Sequence, residues 1–343
     1  MGVDLKGLIH KKPITLESLS GKSIAIDAYN ILYQFLAIIR GIDGSPLIDK
    51  EGRTTSHLSG LFYRTVNIVE IGIKPVYVFD GAPPALKEVE IKRRMVAKEE
   101  AAVKYEQALK VGKLEEARVY AQATSRLKDY MVQDSKKLLK FMGIPWIQAP
   151  SEGEAQAAYM AEKELVWAAA SQDYDSLLFG APRLVRNLGI TGRRKLPRKN
   201  VYIKIDPELV ELSEVFAELG VTREQLVDLA ILIGTDFNPD GVKGIGPSTA
   251  LKLIKEYVCL ENVVPKLEHA TFTVDYNRIR QIFLSPKVRD LDKLEWGRPD
   301  SDGILSFLCD EHNFSRERVE KMLNRMNDAL KKAEKKTSLE KWF

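Results

Sequence analysis

Short apolar runs alternating with amphipathic stretches dominate the first two thirds of the chain. Residues 23–27 (SIAID), 75–80 (PVYVFD), 144–149 (IPWIQA) and 165–171 (LVWAAAS) are β-branched, aromatic or alanine-rich, and read as strands. Between them, residues 29–40, 56–71, 126–142 and 153–163 repeat apolar positions at helical spacing. Strand alternating with helix predicts an α/β fold with a mostly parallel central sheet flanked by helices. Residues 183–187 and 201–205 predict two further strands, and the basic stretch 191–199 between them an exposed loop.

Residues 86–125 break this rhythm. They are rich in Lys, Glu, Ala and Gln, with a Val111-Gly112-Lys113 interruption, and predict two charged helices standing off the sheet. Residues 223–233 and 248–257, with the loop 236–247 between them, predict a helix-loop-helix, and further helices are expected near 275–284 and 315–335. The chain closes on a charged run, 331–336, followed by Leu339, Trp342 and Phe343. No internal repeat is visible.

Composition narrows the class. The 343 residues are 45% hydrophobic and 29% charged, enough for a large folded core. No apolar run approaches the ~20 residues of a membrane span, and the N-terminus lacks the apolar core of a secretory signal. Cys259 and Cys309 are far apart, so neither a zinc site nor a disulfide framework is expected, and an intracellular location is. The net charge of +4 is small but unevenly placed. Residues 87–140 hold 14 Lys/Arg against 9 Asp/Glu, and residues 176–205 hold eight basic residues and no acid, Arg193, Arg194 and Lys195 among them. Basic flanks beside acids suit a gripped polyanion.

The acids carry the chemistry. Asp27 and Asp80 end two of the predicted strands, Glu152 and Glu154 follow the third, Asp173 and Asp175 the fourth, and Asp236 follows the apolar LAILIGT stretch. Ligands of an open parallel sheet sit outside the strands' carboxyl ends, where these acids would converge. At ~6 Å and an effective dielectric of ~20, each like-charged pair costs ~3 kcal/mol. Hard divalent cations relieve that repulsion, and two side by side form a phosphodiester-cleaving site. Alone, Asp27 or Asp80 is more often a helix cap or salt-bridge partner, and Glu152 and Glu154 complement a helix dipole; Asp173-x-Asp175 after a strand is a common metal-binding arrangement, and the co-occurrence of all these acids points to metal. Asp236, Asn238, Asp240 and Gly241 open like a calcium loop, but Pro247 stands where its bidentate glutamate belongs. Asp173/Asp175 with Asp236/Asp240 also imitates the spacing of haloacid-dehalogenase-type phosphohydrolases, which would have no use for Glu152 or Glu154. A non-catalytic DNA adaptor is the other alternative.

The segments MGVDLKGL, AIDAYNILYQF, YVFDGAPPALK, APSEGEAQAAY, SQDYDSLLFG, TGRRKLP and GTDFNPDGVKGIGP stand here in the order found in the structure-specific 5′ nucleases. The chain most closely resembles the archaeal-type flap endonucleases. The resemblance implies a PIN-like nuclease core and two Mg²⁺ or Mn²⁺ ions on Asp27, Asp80, Glu152, Glu154, Asp173, Asp175 and Asp236. It implies cleavage of 5′ flaps in branched DNA during replication (Okazaki fragment maturation) and repair, with 5′–3′ exonuclease activity. Its regions would be an N-terminal nuclease region 1–98, an arch 86–125, an internal nuclease region 116–258 with its helix-loop-helix 223–257, and a C-terminal helical region 259–335. Lys87 and Arg94, two helical turns apart, would act on the scissile phosphate. Tyr33 would stack a base, Gly2 would lie near the site, and Lys243, Gly244 and Gly246 would contact duplex DNA with a K⁺ ion. Residues 336–343 resemble a sliding-clamp (PCNA) peptide carrying Leu339, Trp342 and Phe343, with Lys336 in place of its glutamine. A monomer without membrane attachment is implied, in the cytoplasm or nucleoid of a prokaryotic or archaeal cell.

Overall fold

The computed structural model describes residues 2–41, 43–190, 192–195, 202–267, 272 and 274–340, with side chains omitted at 193–195, 202–203 and 335–340. Seven strands form the central sheet: β1 (Lys12–Pro13), β2 (Ser23–Asp27), β3 (Lys74–Phe79), β4 (Trp146–Gln148), β5 (Ala168–Ala170), β6 (Arg183–Arg186) and, after the separate hairpin of β7 (Gly192–Lys195) and β8 (Tyr202–Ile205), β9 (Glu208–Glu211). Their order is β1-β9-β6-β5-β2-β3-β4. The five strands from β6 to β4 run parallel, and β9 and β1 close one edge antiparallel. The parallel strands came from the apolar runs; β9 (ELVE) is too short and charged to announce itself.

One expectation is corrected. Residues 192–195 lie in a strand, not a loop, because the alternating Tyr-Ile-Lys-Ile of β8 pairs with them from Gly192–Ile205 to Lys195–Tyr202.

Helices cover both faces of the sheet. They are α1 (Ala28–Ile38), α2 (Ser56–Glu70), α3 (Glu88–Lys110), α4 (Leu114–Ala123), α5 (Asp129–Phe141), α6 (Gly153–Glu162), α7 (Asp175–Leu178), α8 (Leu212–Leu219), α9 (Arg223–Ile233), α10 (Pro247–Tyr257), α11 (Leu260–Val263), α12 (Tyr276–Leu284), α13 (Ser301–Leu305) and α14 (Arg316–Glu340). Side chains alternate across a strand, and two cores follow from that alternation. Ala25, Val76 and Val78 enter a core shared with α6, α9 and α12, whereas Ile24, Ile26, Tyr77 and Phe79 enter one shared with α1, α2 and α5.

The charged pair α3 and α4 stands apart from both. α3 buries only Glu90, Ala101 and Ala108, leaving Val89, Val96 and Val103 exposed. α4 is less free-standing than its composition suggested: Ala117 and Ala121 are fully buried, and Arg118 lies against Gly44. Alanine at these positions lets α4 approach closely despite its charged sequence.

Candidate active site

Six of the acids are delivered by strand ends or helix starts on the carboxyl side of the sheet, and Asp236 by the loop after α9. Asp27 is the last residue of β2 and also caps α1, its Oδ1 accepting from the Asn30 amide at 3.0 Å. Asp80 follows β3, and its Oδ1 accepts from the Gly153 amide at 2.6 Å, which ties it to the start of α6. Glu152 occupies the N-cap position of α6 without a side-chain cap bond, and Glu154 lies in the first turn. Asp175 opens α7 and accepts from the Val3 amide at 2.8 Å. Asp173 accepts from the Asn30 side chain at 3.3 Å. The cap reading and the site reading thus coexist in Asp27.

The cost of this assembly appears in the carboxyls' proton affinities. Burial, then the charge of Asp80, raises Asp27 well above the ordinary carboxylate range. Burial, then Asp175, Asp27 and Asp173, does the same to Glu154. Burial and Glu152 push Asp80 up to about 6, and burial with Asp236 and Asp173 pushes Asp175 up to about 7. These mutual effects bring all seven acids into one electrostatic unit, to which Asp173 is linked through Asp27, Glu154 and Asp175.

Two cations reach in from the foot of α3. Lys87 ends a tight turn just before α3 rather than lying on the helix, yet it pairs with Glu152 and, at 3.2 Å, with Asp236. Arg94 meets Asp236 at 2.6 Å and Glu90 at 2.7 Å. Burial pulls Asp236 upward, but Lys87 and Arg94 outweigh it and hold this carboxyl below its usual value. Asp236 is itself fixed by its loop: Asn238 accepts from the Thr235 amide and hydroxyl at 3.2 and 2.7 Å and donates to the Ile231 carbonyl at 2.7 Å. Asn238 is therefore a loop brace, and Asp240 faces outward to Arg93.

The donor set fits hard divalent cations: carboxylate oxygens, crowded and buried, whose repulsion a cation would relieve. Among the described residues no three His, Cys, Asp or Glu side chains are arranged to hold a metal ion as they stand. Glu152 and Asp236 are instead neutralised by Lys87 and Arg94, the same cations expected to meet a phosphate.

The remaining expectations divide. Gly2 lies in the site, where a β-carbon would fall 2.6 Å from Asp175 Oδ1. Tyr33, half-buried on α1, carries the Lys98 ammonium 4.5 Å above its ring. Lys243, Gly244 and Gly246 lie on an exposed loop, Gly244 with a φ of +83° and Gly246 at the start of α10. The Ile245 amide there is not free to face a phosphate, since it donates to the Val242 carbonyl. The side chains of Arg193, Arg194, Lys195 and Leu339, and all of Trp342 and Phe343, lie outside the described residues. Glu90 and Asn30 were missed. Asn30 stands three residues after Asp27, a spacing that could have flagged it; Glu90 stands one turn before Arg94 on a helix that otherwise reads as solvated.

Residues 1–101 match the XPG N-terminal domain and residues 143–236 the XPG I-region. Flap endonuclease 1 of Pyrococcus abyssi is 56% identical over 343 residues, covering 100% of this chain and 98% of that protein. The structure of flap endonuclease-1 from Methanococcus jannaschii superimposes with a TM-score of 0.76 at 44% identity, covering 97% of this chain and 100% of that one. The catalytic core of Rad2 in complex with DNA substrate gives a TM-score of 0.68 at 27% identity, covering 92% and 96%.

Proposed function

The chain belongs to the flap endonuclease family of structure-specific 5′ nucleases, and from that premise we propose that its seven clustered carboxylates hold two divalent ions, Mg²⁺ or Mn²⁺. The enzyme is a metal-dependent phosphodiester hydrolase that cuts 5′ flaps at single-strand/double-strand junctions, consistent with work in replication and repair. The observation that carries the metal reading is the burial of like charges: Asp27, Asp80, Glu154 and Asp175 are all pushed upward by burial and by each other. A phosphohydrolase working through an aspartyl-phosphate leaves Glu152 and Glu154 without a role, and an adaptor has no reason to bear this repulsion.

When bound, such ions neutralise phosphoryl oxygens and lower the pKa of water at the reacting phosphorus. Asp27, Asp80, Glu152, Glu154, Asp173, Asp175 and Asp236 would supply their ligands, directly or through water. Lys87 and Arg94 would leave Glu152 and Asp236 for the scissile phosphate, fixed cations meeting charge as it develops. Glu90 keeps the guanidinium aimed while it does so. Tyr33 would exchange Lys98 for the base beside the cut. The 5′ single strand would pass through the arch of α3 and α4, while Lys243, Gly244 and Gly246, aided by K⁺, and the basic Arg193, Arg194 and Lys195 grip the duplex. Residues 336–343 would dock the enzyme, as a monomer inside the cell, on a sliding clamp. Exonuclease action from a 5′ end would use the same carboxylates.

A 5′-labelled flap duplex incubated with and without Mg²⁺ tests this reading. Cleavage at the junction, only with Mg²⁺ and leaving a 5′-phosphate on the duplex, is the expected result. Metal-independent release, or inorganic phosphate as the sole product, would refute it.

A further inference from the structure

A cavity of ≈ 530 Å³ opens beside the carboxylate cluster and takes no part in the roles assigned above. One wall is the turn from β3 into the arch, with Pro83 and Pro84, together with Pro150 of the loop before α6. The facing wall is α12 and the segment after it, presenting Arg278, Gln281 and Lys287. Glu152 lies on its lining, so the cavity shares a side chain with the active site.

The volume falls within the ~300–1,000 Å³ usual for ligand sites, and the lining is built rather than incidental. α12 is pinned from below, where Phe283 packs on Phe179 and Phe237 with ring centroids 4.9 and 5.4 Å apart. Arg223 adds a hydrogen bond from its Nη2 to the Phe283 carbonyl at 3.0 Å. That anchoring turns Arg278 and Gln281 outward on one exposed face. Neither Arg278 nor Lys287 is paired with a carboxylate among the described residues, unlike Arg280 next to them, which is held by Asp228 and Glu261. Glu152, the acid on the lining, is paired with Lys87, and by the reading above the bound ions would neutralise it once Lys87 turns to the phosphate. The cavity therefore presents two uncommitted cations opposite a rigid apolar wall of prolines.

We propose that this cavity is a binding subsite for the single-stranded 5′ portion of the substrate, taking its phosphates on Arg278 and Lys287 after the strand has passed the foot of the arch. The proposal rests on the flap-cleaving reading and extends it to the strand beyond the reacting phosphate. Prolines suit such a role because they offer apolar surface to any base without hydrogen bonds that would read its sequence. Carboxylates at this mouth would repel the strand; cations without partners hold it.

The test compares flaps of one and of about twelve nucleotides in Arg278→Gln/Lys287→Gln and in the native chain, by equilibrium binding across a salt series. A phosphate contact to a single strand contributes ~0.7 to the log–log salt slope, so losing two should lower the long-flap slope by about 1.4. Gln281→Cys, in the otherwise unchanged chain, should form a disulfide with a thiol-tethered nucleotide in the flap and not with one in the upstream duplex. An unchanged difference between long- and short-flap slopes, or a cross-link that does not favour the flap, overturns the subsite while leaving flap cleavage standing. Absence of flap cleavage in the native chain would remove both readings.

Discussion

Asp175 shows most plainly what a single residue contributes here. It is fully enclosed, holds the Val3 amide, and faces Asp236 and Asp173, which with burial push its pKa up to about 7. Asparagine keeps the shape and can still accept from Val3, but removes the charge. Asp175→Asn is therefore expected to raise the melting temperature of the metal-free protein at pH 8 while reducing cleavage at least ~100-fold, the trade expected of a strained functional site. Unfolding by calorimetry and single-turnover cleavage measure both; a variant that is less stable, or as active as the native chain, contradicts the metal role. Glu90 and Arg94 form the second residue-scale prediction. Arg94→Ala should slow the chemical step at least ~100-fold, equivalent to ~2.7 kcal/mol. Glu90→Ala should lower the same rate through Arg94, with Glu90→Gln partly restoring it. In an Arg94→Ala background, Glu90→Ala should then add nothing; independent, additive losses would show that Glu90 does not act by holding the guanidinium.

At the scale of elements, the strand-end acids were legible because an apolar run followed by a carboxylate is a local pattern. The pairing of the arch with the site was legible only through the family resemblance, which put Lys87 and Arg94 at the scissile phosphate. Lys87 meets Glu152 across 65 residues, and Arg94 meets Asp236 across 142. No spacing along the chain encodes such contacts; they arise because the turn after β3 brings the first residues of α3 over the carboxyl ends of the strands. Residues 192–195 misled for a related reason, since their strand character comes from the partner β8 and not from their own side chains. The final helix, α14, runs to Glu340 and so takes in the first residues of the proposed clamp peptide. Trp342→Ala with Phe343→Ala is expected to abolish stimulation of cleavage by a sliding clamp and to spare activity without it. Equal stimulation of the double variant and the native chain would return the tail to an ordinary helix end.

For the molecule as a whole, the raised carboxyls fix the direction of a pH dependence. Asp80 and Asp175, at about 6 and about 7, bind protons more tightly folded than unfolded, where such groups titrate near ~3.9. Their contribution to stability is present at low pH and lost as pH rises through those values. Asp236, held down by Lys87 and Arg94, works in the opposite sense, losing its contribution as pH falls toward its depressed value, well below this window. The metal-free enzyme should thus lose stability between pH 5.5 and 8, and saturating Mg²⁺ should abolish that loss by neutralising the same carboxylates. A melting temperature independent of pH over this range without metal, or one that Mg²⁺ leaves unchanged, would show that the acids do not repel one another as their burial requires.

The most direct measurement is anomalous diffraction from crystals soaked in Mn²⁺. Two peaks are expected within the cluster of Asp27, Asp80, Glu152, Glu154, Asp173, Asp175 and Asp236, with Lys87 and Arg94 drawn away from Glu152 and Asp236. Peaks elsewhere, or a cluster without peaks in which those two cations keep their grip, would contradict it.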